Sequence, residues 1–182
     1  MKIYVETERL ILRELLPSDE SAMFELDSDP EVHKFLGNQP VKTIEESRDM
    51  IEFIRKQYVD NGIGRWAVIE KESGDFVGWS GLKFIRETIN DHSNYYDLGY
   101  RLIKKYWGHG FASESAKASL QYGFENLHLK AIYGMTDVNN VTSRYVLEKV
   151  GFTCINSFEF NGTAHNWFKI EVGKSKVVYK GV

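Results

Sequence analysis

Apolar positions along the chain change their spacing several times, and each change marks an element. Arg9 to Leu15 alternates apolar with polar residues, the period-two pattern of a half-buried strand. Pro17-Ser18-Asp19-Glu20 opens a helix reaching about Leu26, and Pro30 to Leu36 predicts another helical turn or two. Thr43-Ile44-Glu45-Glu46 is a capping box, in which the threonine hydroxyl takes the glutamate amide and the glutamate reaches back. The helix it starts carries Met50, Ile51, Ile54 and Tyr58 at helical spacing and stops near Asn61-Gly62. Strands from Arg65 to Glu70 and from Phe76 to Ile85 flank a hairpin turn at Glu72-Ser73-Gly74-Asp75. A polar loop, Arg86 to Asn94, leads into a strand from Tyr95 to Ile103. His109 to Leu127 predicts a helix with an apolar stripe of Ala112, Ala116, Leu120, Phe124 and Leu127. A strand from Ala131 to Thr136, a helix from Asn140 to Lys149, a strand beginning at Gly151-Phe152 and a last strand from Trp167 to Tyr179 follow. Helices first, then a meander of strands, then strands alternating with helices describe an α+β sheet domain.

Composition narrows the class. At 182 residues, with no repeat, low-complexity tract or linker, the chain reads as one domain over 1–182. A net charge of −3 argues against a nucleic-acid partner. The one cysteine, Cys154, rules out an internal disulfide, fits a reducing compartment and reads as a small core hydrophobe. Met1 to Glu6 lacks the apolar stretch of a secretory signal, and no run approaches the ~18 apolar residues of a membrane span. A cytoplasmic location is therefore expected. The glycosylation sequons at Asn140-Val141-Thr142 and Asn161-Gly162-Thr163 are then chance matches. No spacing of His, Cys, Asp and Glu suggests a metal site.

The segment richest in chemistry runs from Leu98 to Glu114, where a strand enters a glycine-containing turn that opens a helix. A helix start offers unpaired N–H groups and roughly half a positive charge, which suits a pyrophosphate. Gly108 and Gly110 lack Cβ, so the backbone can lie against phosphate oxygens. Three readings compete. One is a plain helix start with glycines for a tight turn. A second is a dinucleotide fingerprint, disfavoured because Ser113 stands where its third glycine belongs and no repeated βαβ unit surrounds it. A Walker-type loop is excluded, since no Gly-Lys-Ser/Thr follows.

The third reading comes from a resemblance. Trp107-Gly108-His109-Gly110-Phe111-Ala112 resembles the phosphate motif Gln/Arg-x-x-Gly-x-Gly/Ala of the GNAT acyltransferases, with Trp107 in place of the first residue. Leu98-Gly99-Tyr100, Thr7-Glu8-Arg9-Leu10-x-Leu12-Arg13 and Asn140-x-x-Ser143-x-x-Val146-Leu147-Glu148-Lys149-x-Gly151-Phe152 look like the RimJ/RimL-like branch, which acetylates ribosomal proteins and small amines. The pieces stand in the same order and cover Thr7 to about Phe160. The resemblance implies a mixed, mostly antiparallel central sheet, flanked by helices and splayed between two strands. It also implies acetyl-CoA as the acetyl donor. Backbone N–H groups of Gly108, His109, Gly110, Phe111, Ala112 and Ser113 would hold the pyrophosphate. Tyr100, Arg101 and Leu102 would pair through their main chain with the pantetheine arm, like an added strand. The thioester would lie where this strand splays from Ala131 to Thr136.

The same resemblance frames the acid–base question. Asn140 is expected to cap its helix, to touch CoA, or both. Ser143, otherwise a solvent-facing hydroxyl, would hydrogen-bond the CoA sulfur. Many family members place a tyrosine acid four residues before the Gly-Phe pair, where this chain has Leu147; Tyr145 is roughly 200° away around the helix and cannot simply substitute. Many place a glutamate base five residues before the helix asparagine, where this chain has Met135. Asp97 is the leading base candidate, sharing a strand face with Gly99 and Arg101; a salt bridge or an exposed strand end is its alternative role. His165 and Glu159 are further candidates, and His109 and His128 are expected at helix ends or in solvent. Trp66, Trp79, Trp107, Trp167 and Tyr95-Tyr96 are expected in sheet packing, some of them walling an acceptor pocket. The expected activity is transfer of an acetyl group to a primary amine, a peptide or protein N-terminus before a small amine or polyamine. The alternative is a module that binds acetyl-CoA without turnover.

Overall fold

A computed structural model describes residues 1–173. Strands β1 (Ile3–Glu6) and β2 (Leu10–Arg13) come first, followed by a 3-10 turn at Pro17–Asp19. Helices α1 (Glu20–Ser28), α2 (Pro30–His33) and α3 (Ile44–Asn61) follow. Next come β3 (Arg65–Glu70), β4 (Phe76–Ile85) and β5 (Tyr95–Leu102). After a 3-10 turn at Lys104–Tyr106, α4 (Phe111–Glu125), β6 (Ala131–Asp137), α5 (Val141–Lys149), β7 (Thr153–Phe160) and β8 (Thr163–Glu171) complete the chain. The capping box forms as read: Thr43 and Glu46 close reciprocally on each other's amides, and Gly62 ends α3 at φ 71.

The strands make one eight-stranded sheet in the order β1-β2-β3-β4-β5-β6-β8-β7. Every neighbouring pair is antiparallel except β5 and β6. That exception positions the site. The β4–β5 ladder covers all of β5, from Tyr95 to Leu102, whereas β5 meets β6 in one parallel register pair, Asp97 with Tyr133. Beyond it the two strands diverge, and a wedge opens in the middle of the sheet.

Strand alternation gives the sheet two different faces. On one, Leu98 and Leu102 of β5 join Trp66, Val68, Leu82, Ile132 and Phe168 beneath Phe111, Ala116, Leu120 and Phe124 of α4 and Leu147 of α5. On the other, Ala67 and Ile103 pack with Leu26, Val32, Ile51 and Ile54 of the first three helices. Tyr95, Trp167, Tyr133, Met135 and Phe158 continue that second face past the helices.

Two elements depart from the sequence reading. β1 precedes the first strand foreseen there; it pairs with β2 and is the end strand of the sheet among the described residues. β8 begins at Thr163 rather than Trp167, because its first residues are polar and carry little apolar signal. The foreseen end of that strand at Tyr179 lies outside the described residues. Cys154 packs half-buried against the main core.

Candidate active site

A cavity of about 660 Å3 passes through the wedge between β5 and β6. Its wall on the α4 side is built from Leu98, Tyr100, Leu102, the first turn of α4, and Asn140 and Ser143 of α5. Its wall on the other side is Trp79, Arg101, Met135, Asp137 and His165, closed by Val32, Phe35 and Leu36. One opening thus reaches both faces of the sheet.

The turn before α4 has the form an anion needs. Gly108 and Gly110 take φ of 80° and 82°, a region costly for residues with a Cβ. Nothing lies within 4 Å of where a Cβ on Gly108 would sit. Gly110 is the N-cap of α4 and supplies no side-chain cap, so the first N–H groups of that helix have no partner within it. Phe111, Ala112 and Ser113 all line the cavity. The turn is strapped from the far end of the chain. Arg9 Nη1 donates to the His109 carbonyl at 3.0 Å, Arg9 Nε to Glu114 at 2.7 Å, and Thr7 Oγ1 to Glu114 at 2.6 Å. Burial would raise the Glu114 carboxyl, but the bonds from Thr7 and Arg9 outweigh it and hold it below its ordinary value. The only acid in the first turn is therefore neutralised by a cation, which leaves the helix start attractive to phosphate. Trp107 is pinned beside it through Nε1, which donates to the Leu102 carbonyl at 2.8 Å.

Asn140 does cap α5: its Oδ1 accepts the Ser143 amide at 3.1 Å, and it also lines the cavity. Ser143 is joined by a residue whose side chain the sequence reading did not use. The Tyr100 hydroxyl donates to the Ser143 carbonyl at 2.9 Å and lies 3.1 Å from Ser143 Oγ. Burial pushes that phenol well above its ordinary range, so it stays protonated. The signal was present in the strand pattern, since alternation puts Leu98, Tyr100 and Leu102 on the α4/α5 face. Leu147, at the position of the family's acid, is buried and packs toward Gly134.

Asp97 is drawn elsewhere. Its carboxylate is held by Arg65, whose guanidinium also donates to the Gly81 carbonyl and, at 2.6 Å, to the Asp97 carbonyl. Burial pushes the Asp97 carboxyl up, and the Arg65 charge opposes it. Gly99 is glycine for the same reason: a Cβ there would lie 2.6 Å from Arg65 Nη2. Asp97 forms no part of the cavity wall, while its strand neighbour Arg101 does. Arg101 Nη1 donates to Asp27 at 2.6 Å, and its guanidinium lies 5.0 Å from the Trp79 ring centroid. Glu159 is outside the cavity wall, His128 is exposed at φ 53 beyond α4, and His109 turns Nδ1 toward the Trp107 carbonyl. Among the described residues no three His, Cys, Asp or Glu side chains converge as metal ligands, and no helix is long and apolar enough to cross a membrane.

Comparison with known proteins agrees with this geometry. Residues 9–153 match the family model described as the acetyltransferase (GNAT) domain. The chain is 32% identical over 146 residues to the N-acetyltransferase p20 of Bacillus licheniformis, covering 80% of each. It superposes with a TM-score of 0.78 on the ribosomal L7/L12 alpha-N-protein acetyltransferase RimL in complex with coenzyme A, at 20% identity, covering 93% of this chain and 98% of that one. A spermidine N-acetyltransferase of Vibrio cholerae in complex with CoA and spermine superposes with a TM-score of 0.73 at 21% identity, covering 92% and 98%. A strand wedge, an uncapped glycine-led helix and a family match over most of the chain lead to one assignment: the chain belongs to the GNAT family of acetyl-CoA-dependent N-acetyltransferases.

Proposed function

We propose that this N-acetyltransferase acetylates an α-amino group, foremost that of a peptide or protein N-terminus. One observation carries the choice. Among the described residues the buried carboxylates, Asp19 and Asp27, are paired with Arg13 and Arg101, and the half-buried Asp97 on the acceptor side is paired with Arg65. Position 135, where the family resemblance calls for a glutamate base, is methionine. Among the described residues no buried acid is left free of a cation to hold a second ammonium group or to strip a proton from a strongly basic amine; the acids on the cavity wall are the exposed Glu31 and the half-buried Asp137, whose Oδ1 accepts from Asn139. A lysine or polyamine amine near pKa ~10.4 costs ~3.5 kcal/mol more to deprotonate than an α-amine near ~7.8. The fold does not choose, because it is shared with both an α-N-protein acetyltransferase and a spermidine acetyltransferase.

The residues divide the work by wall. The pyrophosphate of acetyl-CoA belongs on the amides of Gly108 to Ser113, and the pantetheine arm along the main chain of Tyr100, Arg101 and Leu102. The thioester then reaches the wedge. The amine enters past Val32, Phe35 and Trp79 and, once neutral, attacks the thioester carbon, forming the C–N bond. A backbone N–H near Tyr100 steadies the oxygen as it gains charge. As the C–S bond breaks, Ser143 Oγ hydrogen-bonds the departing sulfur, and the products are an N-acetyl amine and CoA. The single sheet that joins all eight described strands, from β1 to β7 in spatial order, supports one acetyltransferase unit, and the chemistry fits a cytoplasmic setting where acetyl-CoA is available.

The test is kcat/KM from thiol release, across pH, for an alanyl or seryl peptide, a peptide with lysine as its one free amine, and spermidine. The peptide α-amines should win near neutral pH. Spermidine ahead by more than ~10-fold would overturn the acceptor class, since ~1.4 kcal/mol of discrimination is what a factor of ten represents.

A further inference from the structure

The attacking nitrogen must shed a proton for the amide to form, and a group on the cavity wall has to receive it. Among the described residues, the acids and histidines lining the cavity are Glu31, Asp137 and His165. Glu31 is exposed on the surface of α2. Asp137 Oδ1 is occupied by the backbone and side-chain N–H groups of Asn139, at 2.8 and 3.1 Å.

His165 has a different standing. It lies directly across the β6–β8 ladder from Asp137, and Trp167 lies across from Met135. Residues opposite each other in a ladder project to the same face, so the His165 ring shares the acceptor side with Met135 and is its diagonal neighbour. Its Nδ1 lies 3.1 Å from the Thr163 carbonyl and 3.4 Å from Thr163 Oγ1. A bond to a carbonyl requires Nδ1 to carry the hydrogen, which leaves the lone pair on Nε2. The ring is flanked by Phe160, edge-on at 5.7 Å between centroids, and by Phe158 at 6.3 Å. A histidine with one nitrogen committed to the backbone, its ring set between aromatics and its position on the wall of the reaction cavity is arranged as a proton acceptor.

We propose that His165 Nε2 takes the proton of the attacking amine, directly or through one water. The proton then leaves as imidazolium gives it to solvent, so the acetyl transfer balances without a further reagent. The inference rests on the amine-acetylating reading but not on which amine is preferred. Charged groups that share the cavity with His165 are Asp137 from β6, Arg101 from β5 on the same wall and paired with Asp27, Glu31 and Lys34 from the α2 side and Lys149 from α5; among the described residues of β7, the rings of Phe158 and Phe160 lie beside it.

The experiment follows thiol release by the wild-type chain, H165Q and H165A from pH 6 to 9.5, using whichever amine of the panel turns over fastest. Calorimetry measures CoA binding in parallel. For H165Q, kcat/KM at pH 7 should fall by ~10²-fold, the low end for a lost general base. The deficit should shrink as pH rises and the amine loses its proton unaided, CoA affinity should not change, and added imidazole should restore part of the H165A rate. A purely structural role would give a deficit equal at every pH and no imidazole rescue, and this overturns the proposal. So does an H165Q variant within ~3-fold of wild type at pH 7, well short of a lost base. A wild-type chain that binds CoA but acetylates no amine overturns the enzyme reading itself; an active wild type with an unimpaired variant overturns His165 alone.

Discussion

The Tyr100 hydroxyl hydrogen-bonds Ser143 twice over, donating to its carbonyl at 2.9 Å and lying 3.1 Å from its Oγ. With its own proton given to the carbonyl, the phenol oxygen can only accept from Ser143 Oγ or leave that hydroxyl free for another acceptor. The pair ties β5 to the first turn of α5 across the wedge, so the serine's position is set by the strand that lines the donor. Two carbon-only changes separate the roles. S143A should lower kcat by ~10²-fold with CoA affinity little changed, as expected for loss of a group aiding the leaving sulfur. Y100F should lower kcat less, and add nothing in the S143A background, because it acts through the serine. Its lost hydrogen bonds should cost about 1 kcal/mol and lower Tm by roughly 2–4 °C. Additive effects on kcat in the double variant would mean the tyrosine works independently.

Gly110 combines a positive φ with a neighbour. A Cβ there would sit 3.4 Å from Arg9 Nη2, the same arginine that holds His109 and Glu114. G110V should therefore strain the turn and disturb its strap, while the core beneath α4 stays intact. Calorimetric CoA affinity should fall by about 5- to 30-fold, the equivalent of the ~1–2 kcal/mol that a β-carbon pays in this region. Circular dichroism should show the fold retained. Unchanged affinity would remove this turn from the donor site.

His33 gives a stability prediction with a definite sign. It is buried with both ring nitrogens unbonded, near Asp27 and Arg101. Burial first, and the Arg101 charge second, push its imidazole below the ordinary value, with Asp27 opposing. The folded chain then holds fewer protons on this residue than the unfolded chain does. Its contribution is present above the unfolded value near ~6.5 and is lost as pH falls below it. H33Q cannot titrate, so the Tm of the wild type should drop more steeply than that of H33Q between pH 7 and 5. Parallel curves would show that His33 titrates normally.

Some of this was readable in the residues and some was not, for physical reasons. The Thr43 capping box and the glycine-led start of α4 depend on local chemistry, which sequence carries directly: the box closes, and Gly108 and Gly110 take positive φ ahead of the helix. The role of Thr7 and Arg9 as a strap on Glu114 depends on contacts about a hundred residues apart, which no local pattern encodes. Strand alternation put Asp97 on the acceptor face, but not its partner: Arg65 is on another strand, and nothing in the sequence between them announces the pair. Thr163-Ala164-His165-Asn166 at the start of β8 carries little apolar signal, and His165 gains its place on the cavity wall only from the ladder with β6.

Asp97 itself supplies the sharpest test of where charge is used in this site. If its carboxylate serves Arg65, then D97N removes a partner and strands a guanidinium whose side chain is only 10% exposed. Breaking a buried pair in this way costs ~3–5 kcal/mol, because the remaining charge has lost its compensation. For a chain of this size that is a Tm drop of about 10 °C. Arg65 also spans β3, β4 and β5 through its bonds to the Gly81 and Asp97 carbonyls, so the loss should loosen the strand that lines the donor cleft. The activity that survives should keep the wild-type pH profile, since the proton route runs elsewhere. A base at Asp97 predicts the reverse: Tm nearly unchanged, kcat/KM down by ~10²-fold near neutral pH, and recovery as the amine deprotonates at high pH. Measuring Tm and the pH profile on the same D97N preparation separates the two outcomes.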